Sequence, residues 1–281
     1  TVFEAPTIRQ LAEAIQESAA SPQAEGLIPI QPAGTRAPLF CVGGGPLFRP
    51  MAQKLGANQP FYSLIMAEAE IARLKIPYQL QEIADTLVRK ILLQYPKGPY
   101  YLSDWCHSGV VAFEMARQLI NRGRKVESLV LFDSPTPGFY AMSSKSDTLR
   151  YLLELTRFHF ASLRKLRSRE LLSYLRERLP HALEKFRDNL PGDSTRPLLG
   201  MDRILRAATS SYRAERLPVR TVLFLNPKSP KGRYWDAQFD WTRFVSGPLE
   251  VHDVPGDHRS MFTEPNVEIL AAKLAQYLDK D

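Results

Sequence analysis

The stretch Tyr101-Leu102-Ser103-Asp104-Trp105-Cys106-His107-Ser108-Gly109-Val110-Val111-Ala112 reads as a strand, a sharp turn and a helix, with Cys106 on the turn. The strand begins at Tyr100, and the helix runs from His107 to Arg122, where Gly123 ends it. Small Ser108 and Gly109 let the helix start close to the strand. Val126–Phe132 follows as a short apolar run that reads as a buried strand. Strand, crossover helix and strand in this order predict a parallel sheet with right-handed connections.

The same rhythm extends in both directions. Upstream, Leu27–Ile30, Pro38–Val42 and Phe61–Ile65 read as strands, with a glycine run Gly43-Gly44-Gly45 and a short helix near Pro50–Leu55 between the last two. Leu80, Ile83, Ala84, Leu87, Val88, Ile91 and Leu92 then fall on one face of a helix. Downstream, Val219–Leu225 and Leu249–Val254 read as strands and Val267–Leu278 as the closing helix. Between about Tyr140 and Leu217 the alternation stops, and helical patterns follow one another with no strand between them. A helical block inserted between two strands of such a sheet is expected to form a cap over the site. At the other end, Pro6–Ser18 is a helix candidate, and the Ser/Pro/Gln/Ala/Gly composition of Ser21–Gly26 marks a linker.

The 281 residues are 44% hydrophobic and 24% charged, which excludes disordered and collagen-like classes and leaves ample material for a core. No apolar run reaches the ~18–20 residues of a membrane span, and no charged-then-apolar leader pattern is present. Two cysteines, Cys41 and Cys106, cannot build a disulfide framework, so a reducing, cytoplasmic setting is expected. The net charge of +7 is concentrated: Tyr140–Leu217 holds 16 Lys/Arg against 9 Asp/Glu, and the remainder holds 21 of each. That excess describes either solvated helix faces or a surface for an acidic partner. It is spread through amphipathic patterns and accompanied by no nucleic-acid motif, so neither nucleic acid nor membrane is an expected partner.

Cys106 is the candidate nucleophile, because a helix N-terminus aimed at the sulfur favours the thiolate; a buried structural cysteine is the other reading. Cys41 reads as core. A nucleophile on such a turn needs a base and an orienting acid further along the chain. Asp133 ends the strand after the turn helix, on the rim that adjacent parallel strands share. The next strand is followed by Asn226 and carries no carboxylate before Asp236. Of five histidines, His159 and His181 lie in the helical block and His252 inside a strand. His107 adjoins Cys106, where neighbouring side chains are expected to diverge. His258, in Val254-Pro255-Gly256-Asp257-His258-Arg259, lies in the loop after the last strand and is the expected base. The oxyanion donors are expected to be the backbone N–H of His107 and that of Gly45, with Gly44 next. The glycine run is no phosphate loop, since no Gly-Lys-Ser/Thr follows it, and no metal site is indicated.

These segments resemble the terminal thioesterase domains of nonribosomal peptide and polyketide synthases, which belong to the α/β-hydrolase superfamily. The resemblance is carried by residues 27–42, 98–116, 129–134 and 254–262, and covers the chain from Leu27 onward except the variable cap. Phe3-Glu4-Ala5-Pro6-Thr7-Ile8-Arg9-Gln10-Leu11-Ala12 looks like the last helix of a carrier-protein domain. The implied organisation is a carrier remnant over 1–18, a linker over 19–26 and a thioesterase domain over 27–281 with a helical lid at about 140–217.

The resemblance implies a triad of Cys106, His258 and Asp133 that releases a chain held on the phosphopantetheine of an upstream carrier protein, with no cofactor in the domain itself. Two departures stand out. The usual nucleophile is serine, and the usual Gly-x-Ser-x-Gly turn here reads Asp104-Trp105-Cys106-His107-Ser108. Cysteine variants are associated with closing strained lactone or lactam rings, so cyclisation and hydrolysis both stand as outcomes. A cysteine hydrolase of small lactones or esters, similar to dienelactone hydrolases, and a non-catalytic docking module are the alternatives. Phe139, Tyr140, Phe158, Phe160 and Tyr212 are candidate linings of an acyl cavity.

Overall fold

The computed structural model describes residues 26–137, 200–226 and 240–278, together with residues 7 and 9. The Pro6–Ser18 helix candidate, most of the linker and residues 138–199 of the expected cap lie outside the described residues. Seven strands form one sheet: β1 (Leu27–Gln31), β2 (Leu39–Val42), β3 (Phe61–Leu64), β4 (Tyr100–Trp105), β5 (Val126–Phe132), β6 (Thr221–Leu225) and β7 (Leu249–Asp253). Their order is β1-β3-β2-β4-β5-β6-β7. Only β1 pairs antiparallel, with β3; every other neighbour pair is parallel. The helices are α1 (Gly45–Lys54), α2 (Glu68–Ala72), α3 (Leu80–Gln94), α4 (Ser108–Asn121), α5 (Met201–Ser211) and α6 (Asn266–Leu278). Among the described residues, no helix is long and apolar enough to cross a membrane.

The central strands β4, β5 and β6 are buried at most positions because helices cover both sides of the sheet. Alternation along β5 sorts its residues: Leu129 and Leu131 enter a core shared with α3, α4 and α5, while Val130 and Phe132 enter a core shared with α1 and α6. Close helix–sheet contact explains one glycine. A Cβ on Gly109 would stand 2.3 Å from Ser134 Oγ and 3.0 Å from Leu131 Cδ2, so the first turn of α4 approaches β5 closely only without a side chain there.

The last helix of the block expected as a cap to about Leu217, α5, packs into the core against α3 and α4, burying Ile204, Leu205 and Ala208. Tyr212, expected to line an acyl cavity, is 4% exposed and donates its hydroxyl hydrogen to Glu114 Oε2 at 2.6 Å. The reason is the fully buried Glu114 on α4, which also accepts two 2.7 Å hydrogen bonds from Arg117 and gains a neutral donor from Tyr212. A buried carboxylate left short of partners is costly, so this network holds α5 and Tyr212 against α4.

Candidate active site

The parallel ladder delivers six strand ends to one rim; beside that of β3, β2 ends before Gly43, β4 before Cys106, β5 before Asp133, β6 before Asn226 and β7 ahead of the loop with His258. Two non-glycine residues there have left-handed backbones, Cys106 at φ 59° and Asp133 at φ 48°. Such strained positions cluster at functional sites. At Cys106 the turn is pinned by its own N–H, which donates to Phe132 O at 3.0 Å.

Three side chains remote in sequence stand on this rim. His258 Nδ1 lies 2.5 Å from Asp133 Oδ2, and the His258 ring is near enough to Cys106 for each to shift the ionisation of the other. The carboxylate is itself held: Asn226 donates its side-chain N–H to Asp133 Oδ2 at 2.8 Å, and its backbone N–H faces Oδ1 at 3.4 Å. Trp105 lies against the imidazole with centroids 4.4 Å apart and the planes tilted by 35°, and Phe262 packs edge-on against Trp105. The ring orientation is thus fixed by a carboxylate on one edge and an indole on one face. His252 lies on β7 against Tyr277 and takes no part in this cluster.

His107, whose side chain was expected to diverge from Cys106, follows the left-handed Cys106 with a helical backbone (φ −65°, ψ −22°), is buried, and lies near enough for its charge to act on the thiol. Asp104 completes the turn. It is buried, and its carboxylate accepts the N–H of Val42 at 2.9 Å and of Trp105 at 2.7 Å. The β2–β4 register ends at Cys41–Ser103, so the Asp104 side chain carries the link one residue further, to the point where the glycine run begins.

These partners set the ionisation. Burial resists charge on the Cys106 thiol, but hydrogen bonds from His107 and His258 and the charge of both rings outweigh it and bring the thiol down to about 5. Burial likewise opposes the His258 imidazolium, and the Asp133 and Cys106 hydrogen bonds outweigh it, raising the imidazole to about 9. Between those limits the pair rests as thiolate and imidazolium. Asp104 differs: burial pushes its carboxyl well above the usual carboxylate range, against the pull of the Trp105 and Val42 N–H groups and the His107 charge.

In the glycine run, Gly43 and Gly44 have φ of 65° and 64° and turn the chain into α1. The Gly43 N–H is committed to Leu64 O at 2.7 Å, and residue 46 is a proline without an N–H, which leaves Gly44 and Gly45 as the run's candidate donors. Both precede or open α1, where first-turn N–H groups have no partner in their own helix. Phe139, Tyr140, Phe158 and Phe160 lie outside the described residues.

Comparison with known proteins places this arrangement. The family model described as "Thioesterase domain" matches residues 38–277. The chain belongs to the thioesterase domain family. Chondramide synthase cmdD of Chondromyces crocatus is 26% identical over 308 residues, covering all of this chain and 8% of that protein. A dimodular nonribosomal peptide synthase of Bacillus subtilis (strain 168) is 32% identical over 158 residues, covering 55% of this chain and 7% of that protein. The thioesterase domain therefore spans less than a tenth of either of these relatives. Among solved structures, the NocB thioesterase domain in covalent complex with a fluorophosphonate nocardicin G analog has a TM-score of 0.60 at 20% identity, covering 90% of this chain and 99% of that one. That likeness is one of fold, an α/β fold with a mostly parallel sheet.

Proposed function

We propose that this thioesterase domain takes an acyl or peptidyl chain from the phosphopantetheine thiol of an upstream carrier protein onto Cys106 and then releases it. The observation that carries the reading is the placement of Cys106, His258 and Asp133 on one rim of the sheet, with His258 bonded to Asp133. The large synthases among the relatives support a carrier-bound substrate. The basic excess between Tyr140 and Leu217 suits docking of an acidic carrier protein.

In the first half-reaction, Cys106 Sγ adds to the thioester carbonyl. The oxyanion is held by the His107 N–H and that of Gly45 or Gly44. The bond to the pantetheine sulfur breaks, and the departing thiolate takes the proton of the His258 imidazolium. Acylation removes the thiolate charge and its hydrogen bond, two of the influences that held the imidazole up near 9. His258 then falls toward its ordinary range and serves as a base. It takes the proton of water, or of a hydroxyl or amine within the chain. The new C–O or C–N bond forms as the bond to Sγ breaks.

A cysteine suits this sequence of steps. Thioester-to-thioester transfer is nearly isoenergetic, whereas a serine would hold a less activated oxoester. The stored driving force favours capture by a weak internal nucleophile or closure of a strained lactone or lactam, with hydrolysis as the competing exit.

The test is to supply an N-acetylcysteamine or carrier-bound thioester and follow protein and product by mass spectrometry. An acyl adduct on the peptide containing Cys106 is expected. A product equal to the chain plus water identifies hydrolysis, and one without the water identifies cyclisation. Turnover of soluble lactones or esters with no thioester turnover would replace this reading with a small-ester hydrolase. Absence of any adduct on Cys106 would overturn the covalent route.

A further inference from the structure

We propose that Asp104 is a positioning residue for the oxyanion site: its carboxylate fixes the distance between the glycine run, which brings one amide donor, and the Cys106 turn, which brings the other. The inference rests on the reading of Cys106 as an acyl-accepting nucleophile and adds a part that the triad does not contain. β2 and β4 pair in parallel from Leu39–Tyr101 to Cys41–Ser103, and there the ladder stops. Tyr101 N–H donates to Pro38 O at 3.3 Å, on the β2 side. Directions alternate along a strand, so Trp105 turns its N–H to that same side, now past the end of the ladder. The Asp104 carboxylate fills the missing step. Val42 N–H, from β2, donates to Oδ2 at 2.9 Å, and Trp105 N–H, from β4, donates to Oδ1 at 2.7 Å. Asp104 is 2% exposed, which leaves water little room to take its place.

Each of the two bonded residues leads directly into one half of the oxyanion site. Val42 is followed by Gly43, whose N–H donates to Leu64 O at 2.7 Å and whose carbonyl accepts the Ser63 hydroxyl at 2.9 Å. The glycine run is thereby fastened to β3 on one side, and Asp104 fastens its root to β4 on the other. The candidate donors Gly44 and Gly45 come next in the chain. Trp105 in turn precedes Cys106, whose N–H donates to Phe132 O at 3.0 Å, and then His107 with the second donor amide. An oxyanion gains from both donors only while their spacing matches the place where the charge develops. A carboxylate suits this task because both of its oxygens accept, one for each N–H. Glycine, the usual residue at this place in the turn, would leave both N–H groups to find other acceptors at the buried end of the sheet.

Two reactions of one sulfur separate this role from a merely structural one. Attack on a thioester passes through an oxyanion, whereas attack on iodoacetamide displaces iodide at a saturated carbon and forms none. Both rates are measured by mass spectrometry of the peptide containing Cys106, with S-acetyl-N-acetylcysteamine as the acyl donor. They are compared on the pH plateau between the Cys106 and His258 ionisations, so that a change in thiolate fraction drops out. Asp104→Ala is expected to lower the ratio of acylation to alkylation by about ten- to a hundredfold, the weight of a displaced oxyanion donor. Asp104→Asn, which keeps one acceptor oxygen, is expected to fall between Asp104→Ala and the parent protein. A ratio unchanged in Asp104→Ala overturns the proposal, whether both rates hold or both fall together as a disordered turn would make them. Should that variant fail to fold, a ratio unchanged in Asp104→Asn does the same. A parent protein alkylated at Cys106 but never acylated there would instead sink the thioesterase reading, and the Asp104 role with it.

Discussion

Cys41 lies in β2 and Cys106 just past the end of the neighbouring β4, yet their surroundings drive their sulfurs in opposite directions. Cys41 is fully buried within β2, and its sulfur faces carbonyl oxygens, Gly43 O at 3.4 Å and Tyr62 O at 3.6 Å. Acceptors of that kind favour the protonated thiol. Burial above all, and then the charge of Asp104, push it well above the ordinary thiol range. Cys106 stands one step outside β4 and faces two imidazoles, which overcome burial and bring it to about 5. Burial raises both thiols; what separates them is the neighbour, a carboxylate near Cys41 and imidazoles near Cys106, and not the residue type.

Alanine substitution breaks the comparison most directly. Cys106→Ala is expected to lower thioester turnover by at least about 10⁴-fold. Cys41→Ala is expected to leave the chemistry intact while lowering stability by about 1 kcal/mol through the small cavity it opens. Steady-state kinetics beside a denaturant melt separates the two effects, and comparable losses of activity would end the distinction.

Removing the partners of the reactive sulfur comes next. His258→Ala is expected to slow acylation by about 10²–10⁴-fold, the usual weight of a positioned acid–base group. Asp133→Asn is expected to move the pH profile as well as the rate. Against the lowering effect of burial, the Asp133 hydrogen bond is the leading influence that raises the imidazole, so its loss should bring the alkaline limb to a pH below about 9. Stopped-flow acylation across pH measures both consequences.

The intact protein sharpens the contrast without mutation. Because the Cys106 thiol is lowered, its thiolate fraction grows as pH rises through about 5, and iodoacetamide labelling should follow that curve. Cys41 should remain unlabelled until the protein unfolds. Acylation also needs the imidazolium as acid, so its rate should fall again above about 9. Peptide mapping of the label across pH checks the first two statements. The smallest effect is expected at Asn226. Asn226→Ala removes one hydrogen bond from a carboxylate that retains His258, and a loss of about tenfold in turnover fits the 1.5–3 kcal/mol of a charged hydrogen bond less what water restores.

The sequence by itself determined the alternation of strands and helices, because apolar periodicity is a local property and both faces of this sheet are covered. It also placed Cys106, Asp133 and His258 after β4, β5 and β7, and parallel strands share a rim whatever their side chains. Small Gly109 was legible for the same reason: a helix that follows a strand by two residues must start close to the sheet. The tertiary structure alone decided which groups touch. Asn226 lies 93 residues from the Asp133 it holds, and Val42 lies 62 from the Asp104 it bonds. Cys106 takes a left-handed backbone that propensity does not foretell. Tyr212, read as cavity lining from its place in a helical block, was drawn into the core by buried Glu114, a partner 98 residues away. Periodicity records which face a residue presents; the partner waiting there is fixed by chain segments remote in sequence, and it is the partner that sets charge, orientation and reactivity.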